Sequence, residues 1–379
     1  MSMNPKVLIT GGAGFLGTHL ARELLRRGCE LTLLDNFNPQ IHGAGAALPA
    51  DLAAEVRLHR GDVRDASAWH AAMPGHTCIV HLAAETGTAQ SMYAADHYTQ
   101  VNVGGTQLLC DALSAPPVER IVLASSRAVY GEGAYRCAKH GTVYPPPQSD
   151  AARIDGRFDP VCPECSSECA PAPTTEDAPL QPLSIYGVTK QQQEHLVLSV
   201  ARQRGIPAVA LRYQNIYGPG QSLHNPYTGI LATLSNLAHA GEPIEIFEDG
   251  RESRDFISVD DAARATADCV TGLLTGQCAV NIGSGIRTPL LDLAHRINSF
   301  YGSRSDVRVS GRFRHGDIRH ALADLTLART ALHFEPLTSL ADGLNLFLAW
   351  ASQSPPDASH SAALARSLDE LRRHGLLHG

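Results

Sequence analysis

The twelve residues Lys6–Gly17, KVLITGGAGFLG, constrain this chain more than any other stretch. Lys6–Thr10 is an apolar run with strand propensity, and Gly11-Gly12 turn it. Phe15, Leu16, Leu20, Leu24 and Leu25 then give the apolar face of a helix. Gly11, Gly14 and Gly17 recur every third residue, so backbone can lie close to a pyrophosphate held at the helix N-terminus, beside Phe15 and Leu16. The next apolar run, Leu31–Leu34, ends in Asp35, 18 residues beyond Gly17. A carboxylate there binds a ribose 2′-hydroxyl and repels a 2′-phosphate. Strand, turn, helix, strand and acid in this register predict a dinucleotide site that takes NAD rather than NADP.

Strands and helices go on alternating, as an α/β doubly wound parallel sheet requires. Further strands are expected near 56–59, 78–82, 120–125 and 207–211, with helices near 96–113 and 184–204. Asn36 continues from Asp35. Asp62 and Val63 close the third strand, where an acid can meet an adenine amino group, while Asp65 serves equally well as a helix cap. Leu82, Ala83, Ala84 and Thr86 close the fourth, where small side chains let a cofactor pass over the strand ends.

Composition excludes several classes. A formal net charge of −7 leaves no broad basic surface and argues against nucleic acid as a partner. No run approaches the roughly 20 apolar residues of a membrane span. The first apolar stretch is already the glycine-turn strand, so no signal peptide is expected and the cytoplasm is the expected compartment. Cys29, Cys78, Cys110, Cys269 and Cys278 lie scattered in apolar segments, as buried thiols do in a reducing compartment.

Tyr186 and Lys190 stand four apart on one face of the 184–204 helix. A free phenol, with a pKa of about 10, is a poor base at neutral pH. A neighbouring ammonium together with a positive nicotinamide favours the phenolate. Such a pair is ordinarily a surface pair; the glycine turn, and Ser126 at the end of the fifth strand, point instead to catalysis.

TGGAGFLG, HLAA, NVGGT, SSRAVYG and YGVTK follow one another in the order and spacing of the extended short-chain dehydrogenase/reductase family. The chain resembles that family over nearly its whole length, apart from one insert and the tail. The nearest branch is the sugar-nucleotide epimerases and dehydratases of the UDP-glucose 4-epimerase type. The resemblance implies a Rossmann-type domain over residues 1–212 and a smaller, mainly substrate-binding domain over 213–350 with segments returning to the first. A helical tail occupies 351–379. It also implies bound NAD, a nucleotide-sugar substrate and a homodimer formed through the 96–113 and 184–204 helices. By the same resemblance Ser126 hydrogen-bonds the reacting sugar oxygen, Tyr186 moves its proton and Lys190 also holds the nicotinamide ribose. Tyr213 lies with the cofactor, Asn215 at the sugar diphosphate, and Arg254, in RDFISVDD, on a phosphate. Arg319 is a second candidate of that kind.

One departure narrows the chemistry. The 4,6-dehydratase branch carries Thr-Asp-Glu where this chain has Ser126-Arg127-Ala128. Without a carboxylate at 127 or 128, dehydration is disfavoured. The sequence assigns Arg127 itself no role.

Residues 132–183 form an insert rich in Pro, Cys and charge, too poor in apolar residues to supply much core of its own. Cys137 and His140 make one knuckle-like ligand pair, Cys162 and Cys165 another, with Cys169 close by as a substitute for His140. This soft four-ligand set suits a structural zinc shaping one wall of the substrate cleft. Free thiols or a disulfide are the alternatives, and the expected reducing compartment counts against the disulfide. No His-x-Glu accompanies the cysteines, which disfavours a zinc deaminase. The insert is similar to one in bacterial epimerases acting on dTDP-6-deoxyhexoses such as dTDP-L-rhamnose.

The function expected is NAD-dependent epimerisation of a UDP- or dTDP-hexose at C4 through a 4-keto intermediate. A 4-keto sugar-nucleotide reductase and a catalytically idle NAD-sensing module are the alternatives. Bound cofactor at turnover separates the first from the second, and Tyr186→Phe separates it from the third.

Overall fold

The computed structural model describes residues 5–379 apart from 44, 114–117, 224, 226, 228, 273–275 and 356–357. Its strands, in chain order, begin with β1 (Lys6–Thr10), β2 (Glu30–Asp35), β3 (Arg57–Arg60), β4 (Cys78–His81) and β5 (Arg120–Ser126). The insert contributes β6 (Tyr135–Cys137), β7 (Gly141–Val143) and β8 (Ala170–Pro171). Then come β9 (Ala208–Tyr213), β10 (Asn215–Tyr217), β11 (Ile244–Ile246), β12 (Ser253–Ser258) and β13 (Gln277–Ile282). The last are β14 (Arg287–Pro289), β15 (Val307–Val309), β16 (Phe313–Arg314) and β17 (Leu377–His378).

Seven strands form one parallel sheet in the order β13-β9-β5-β4-β1-β2-β3. Val7, Leu8 and Ile9 are all fully buried, the reading of a parallel strand covered on both faces. Alternate residues feed two cores. Val7, Ile9, Leu33 and Val80 face the helices Phe15–Arg26 and Val259–Thr271. Leu8, Leu34, Ile79 and Leu123 face the opposite layer, to which the helix Ile185–Arg204 brings Val197 and Ala201. Ser184 caps that helix by accepting from the Gly187 N–H at 3.1 Å.

Two crossovers matter for the site. Strand β10 leaves the sheet end and pairs with β12, beside a third core built on Leu234, Ile246, Phe256, Ile297 and Phe347. Strand β13 then returns to the edge of the central sheet, parallel to β9. The insert forms an antiparallel sheet, β7-β6-β8, with a small cluster of its own: Tyr135, Cys137, Val143, Cys162 and Cys169.

Two helices differ from the sequence expectation. The 96–113 helix is a run of α-helix (Ala95–Tyr98), π-helix (Thr99–Gly104) and α-helix (Gly105–Ala112). The π-turn brings in fully buried Asn102, whose side chain accepts from the Glu85 N–H at 2.8 Å and donates to Thr189 at 2.9 Å. The tail helix ends at Arg373; Gly375, at φ +66°, turns the chain so that β17 pairs antiparallel with β16. No described helix is long and apolar enough to cross a membrane.

Candidate active site

The glycine turn is packed too tightly for side chains. A Cβ on Gly11, which sits at φ +66°, would lie 2.8 Å from the Ala83 nitrogen. One on Gly17 would lie 2.5 Å from the Gly11 carbonyl oxygen and 2.7 Å from that of Gly12. The helix N-terminus therefore opens onto bare backbone. Asp35, buried at the end of β2, accepts from the Ala13 N–H at 3.0 Å and the Phe37 N–H at 2.8 Å. A cavity of about 130 Å³ runs over this edge, lined among others by Gly11, Gly14, Asp35, Asn36, Val63, Leu82, Ala83 and Ala84. Backbone donors, a ribose-facing carboxylate and small strand-end residues are the donor set an adenine dinucleotide needs, so the site fits NAD. Asp62 stands at the rim, gripped by Arg64 and by the Asn36 amide at 2.9 Å, which hold its carboxyl well below the usual range. Asp65 is the helix cap, accepting from the Ser67 N–H at 2.8 Å. Thr86 is exposed beyond the lining of this cavity. Gly17→Ala is expected to weaken NAD binding on the order of tenfold or more, because backbone rather than a flexible side chain must give way. Titration of cofactor-stripped protein checks it.

Ser126 and Tyr186 meet at the far end of β5. Both side chains line one cavity, near enough for the Ser126 hydroxyl to act on the phenol, and that hydroxyl accepts from the Ala128 N–H at 3.1 Å. Burial pushes the Tyr186 phenol above its usual value, while the Ser126 hydroxyl and the Arg127 charge pull it down. Lys190 shares the helix face but reaches elsewhere: its ammonium donates to Gln193 Oε1 at 2.7 Å. Gln193 donates to Thr106 at 2.7 Å, Thr106 meets His81 Nε2 at 3.1 Å, and His81 Nδ1 meets Thr10 at 2.7 Å. This buried chain of polar groups ties Lys190 to the glycine-turn strand. The positive charge facing the phenol is thus Arg127, where sequence reasoning placed Lys190.

Burial pulls the Lys190 ammonium down to about 7, with Glu194 partly opposing. The unfolded chain, whose lysine titrates at about 10.4, then binds more protons between those values. Stability of the cofactor-free protein consequently rises with pH across that window. Lys190→Met is expected to raise its melting temperature at neutral pH by roughly 2–4 °C while removing activity. Calorimetry on stripped protein reads the first effect.

A cavity of about 190 Å³ at this point is lined by Ser126, Arg127, Tyr186, Tyr213, Asn215 and Arg254, among others. Asn215 and Arg254 also line a larger cavity of about 430 Å³ between the third core and the tail helix. The two spaces join at these residues. Tyr213 lies at the edge of the smaller cavity, with its side chain in the core and its hydroxyl bonding Thr266 at 2.6 Å.

Arg319 is a correction. Only 1% exposed, it is saturated by Asp159 at 2.7 Å, Glu248 at 2.9 Å and Asp249 at 2.6 and 2.9 Å. It ties the insert to Glu248 and Asp249 and lines neither cavity, with four of its five N–H groups spent on carboxylates rather than turned toward a phosphate. The sequence also missed the tail. Leu364, Ala365, Leu368 and Leu371 of the helix Ala358–Arg373 wall the larger cavity. Its amphipathic pattern was legible, but nothing local named the surface it covers.

In the insert, the ligand atoms of Cys137, His140, Cys162 and Cys165 all lie within 4.8 Å of one another. Cys169 is outside that set and turns its thiol toward the Ser167 carbonyl.

A nucleotide cradle, a Ser–Tyr pair and a basic cleft on one parallel sheet define a dinucleotide-dependent enzyme of the extended short-chain type. The sequence profile of the NAD dependent epimerase/dehydratase family matches residues 7–151 and 161–283, and the chain belongs to that family. It is 41% identical over 356 residues to a dTDP-L-rhamnose 4-epimerase of Burkholderia thailandensis, covering 92% of this chain and 95% of the relative. Among solved structures it is similar to the UDP-glucuronic acid 4-epimerase of Bacillus cereus, in complex with UDP-glucuronic acid and NAD. There the TM-score is 0.75 at 26% identity, over 92% of this chain and 99% of the other. The UDP-glucose 4-epimerase of Thermotoga maritima with UDP-glucose superposes with a TM-score of 0.74 at 25% identity, over 93% and 99%.

Proposed function

We propose that this chain is an NAD-dependent 4-epimerase of a nucleotide-diphosphate hexose, with a dTDP- or UDP-sugar as substrate. The observation that carries the reading is the Ser126–Tyr186 pair at the junction of the two substrate-side cavities, at the end of the sheet that carries the dinucleotide cradle. Bound NAD supplies the hydride acceptor and donor. Tyr186 removes the proton of the sugar hydroxyl, which the Ser126 hydrogen bond keeps in line. The phenol returns that proton when the carbonyl is reduced from its other face. Asn215 and Arg254 hold the diphosphate while the hexose turns, and the larger cavity takes the nucleotide. Ser126-Arg127-Ala128 offers no carboxylate for dehydration. Incubation with UDP-, GDP- and dTDP-hexoses without added cofactor, read by NMR, tests the proposal: an inverted C4 centre supports it, and a demand for stoichiometric NAD(P)H favours a keto-sugar reductase instead.

Cys137, His140, Cys162 and Cys165 hold a structural zinc in this reading. Zinc–sulfur bonds of about 2.3 Å give tetrahedral edges of about 3.8 Å. The Cys137–Cys165 sulfurs are 3.7 Å apart, and His140 Nδ1 lies 3.8 Å from Cys137 Sγ and 3.3 Å from Cys162 Sγ. Backbone N–H groups of Lys139 and His140 point at the Cys137 sulfur, and those of Glu164 and Cys165 at Cys162, as metal knuckles require. Glu164, 3.8 Å from His140 Nε2, is placed to orient the ring from behind. A homodimer through the 95–112 helical run and the helix Ile185–Arg204 is supported by half-buried Leu108, Leu196 and Val200 on those elements. The nine free cysteines support a cytoplasmic setting.

A further inference from the structure

Neither the glycine-turn chemistry nor the surrounding protein accounts for Arg127. It follows Ser126 directly, and its side chain lines the cavity that holds Ser126, Tyr186, Asn215 and Arg254. Among the described residues its guanidinium has no hydrogen-bond or ion-pair partner. The contrast with two fully buried arginines is sharp: Arg212 is paired bidentately with Glu194, and Arg319 with three carboxylates. The two carboxylates that face Arg127 are committed elsewhere. Glu132 accepts from the Arg319 N–H and the Tyr135 hydroxyl, and Asp317 pairs with Arg314 at 2.7 Å. Its remaining charged neighbour is Arg254, of the same sign. Burial and that neighbour pull the Arg127 guanidinium down to about 10.

These two half-buried guanidinium groups line one cavity, and Arg254 donates only to the Ser253 and Arg319 carbonyls, at 2.9 and 3.2 Å; they repel each other and lose part of their hydration. An anion between them reverses both effects, because each planar fork then donates to oxygen. We infer that Arg127 and Arg254 together grip one anionic group of the substrate. Arg127 holds it from the side of the reacting carbon, and Arg254 from the side of the nucleotide cavity. The inference rests on the nucleotide-sugar reading of the site and names the group's chemistry: a phosphate or carboxylate oxyanion lying within reach of Tyr186. It makes Arg127 a substrate-binding residue that the family motifs do not assign.

The test titrates NAD-loaded wild type, R127K, R127Q and R127A with UDP, dTDP, UDP-glucose and UDP-glucuronate. A charge-assisted contact to phosphate predicts that R127A and R127Q bind all four ligands about ten- to a hundredfold more weakly, with R127K between them and wild type. Loss confined to UDP-glucuronate assigns the contact to a sugar carboxylate. Unchanged affinity for all four overturns the proposal, provided NAD content and melting temperature match wild type. R127K and R127Q keep the test open should R127A fail to fold. Wild type that binds nucleoside diphosphates but epimerises no sugar overturns the proposed function and leaves the clamp standing. Wild type that epimerises while R127A binds undiminished overturns the clamp alone.

Discussion

Tyr186→Phe is expected to lower the epimerisation rate by about a thousandfold, within the range a positioned acid–base group supplies. The substitution keeps the ring and its volume and removes only the hydroxyl that meets Ser126. No residue of the glycine turn and no member of the polar chain from Thr10 to Lys190 is touched. NAD content should therefore match that of wild type, measured by release on denaturation, while NMR shows the sugar unconverted. A variant that keeps more than a tenth of the wild-type rate would move the proton chemistry to another group. A binding module with no turnover, by contrast, would lose nothing because it had nothing to lose.

Disrupting the four-ligand cluster proposed to hold zinc in the insert should have the second largest effect. Cys162→Ser replaces a fully buried thiol at the centre of a cluster with few other apolar neighbours. Elemental analysis should find about one zinc per wild-type chain and almost none in the variant, and the melting temperature should fall on the order of 10 °C. Cys169→Ser should retain the metal, since that thiol lies outside the four-ligand set and donates to the Ser167 carbonyl. The consequence for turnover runs through Asp159, which the insert offers to Arg319. With the insert loosened, that guanidinium loses one of its three carboxylates and the wall beside Glu132 and Arg127 shifts. KM for the nucleotide sugar should rise more than kcat falls. Equal zinc content in wild type and Cys162→Ser, including none in both, would end the metal assignment.

What the sequence disclosed and what it withheld divide along a physical line. Gly11 and Gly17 were readable because only one side chain fits beside a backbone oxygen 2.5 Å from the missing Cβ. Six of the central sheet's seven strands were readable, most of them because a strand buried on both faces announces itself as an apolar run; β13 was not anticipated, and β3, RLHR, is only partly buried. Paired ligands three residues apart marked Cys137, His140, Cys162 and Cys165, whose atoms the fold gathers. Arg319 misled because its partners come from two stretches distant in sequence, Asp159 and Glu248-Asp249, and an arginine in a promising motif looks the same whether its fork faces a phosphate or a carboxylate. Lys190 was placed on the correct helix face, but Gln193, one turn further on, takes its ammonium. Spacing fixes a direction; it does not fix which acceptor wins.

The wall of leucines from the Ala358–Arg373 helix bears on the re-engineering of this enzyme. The cavity proposed to take the nucleotide is closed by a helix distant in sequence from Ser126 and Tyr186. Exchanging Leu364, Leu368 or Leu371 should therefore retune which base is accepted while the oxidation and re-reduction of the sugar proceed as before.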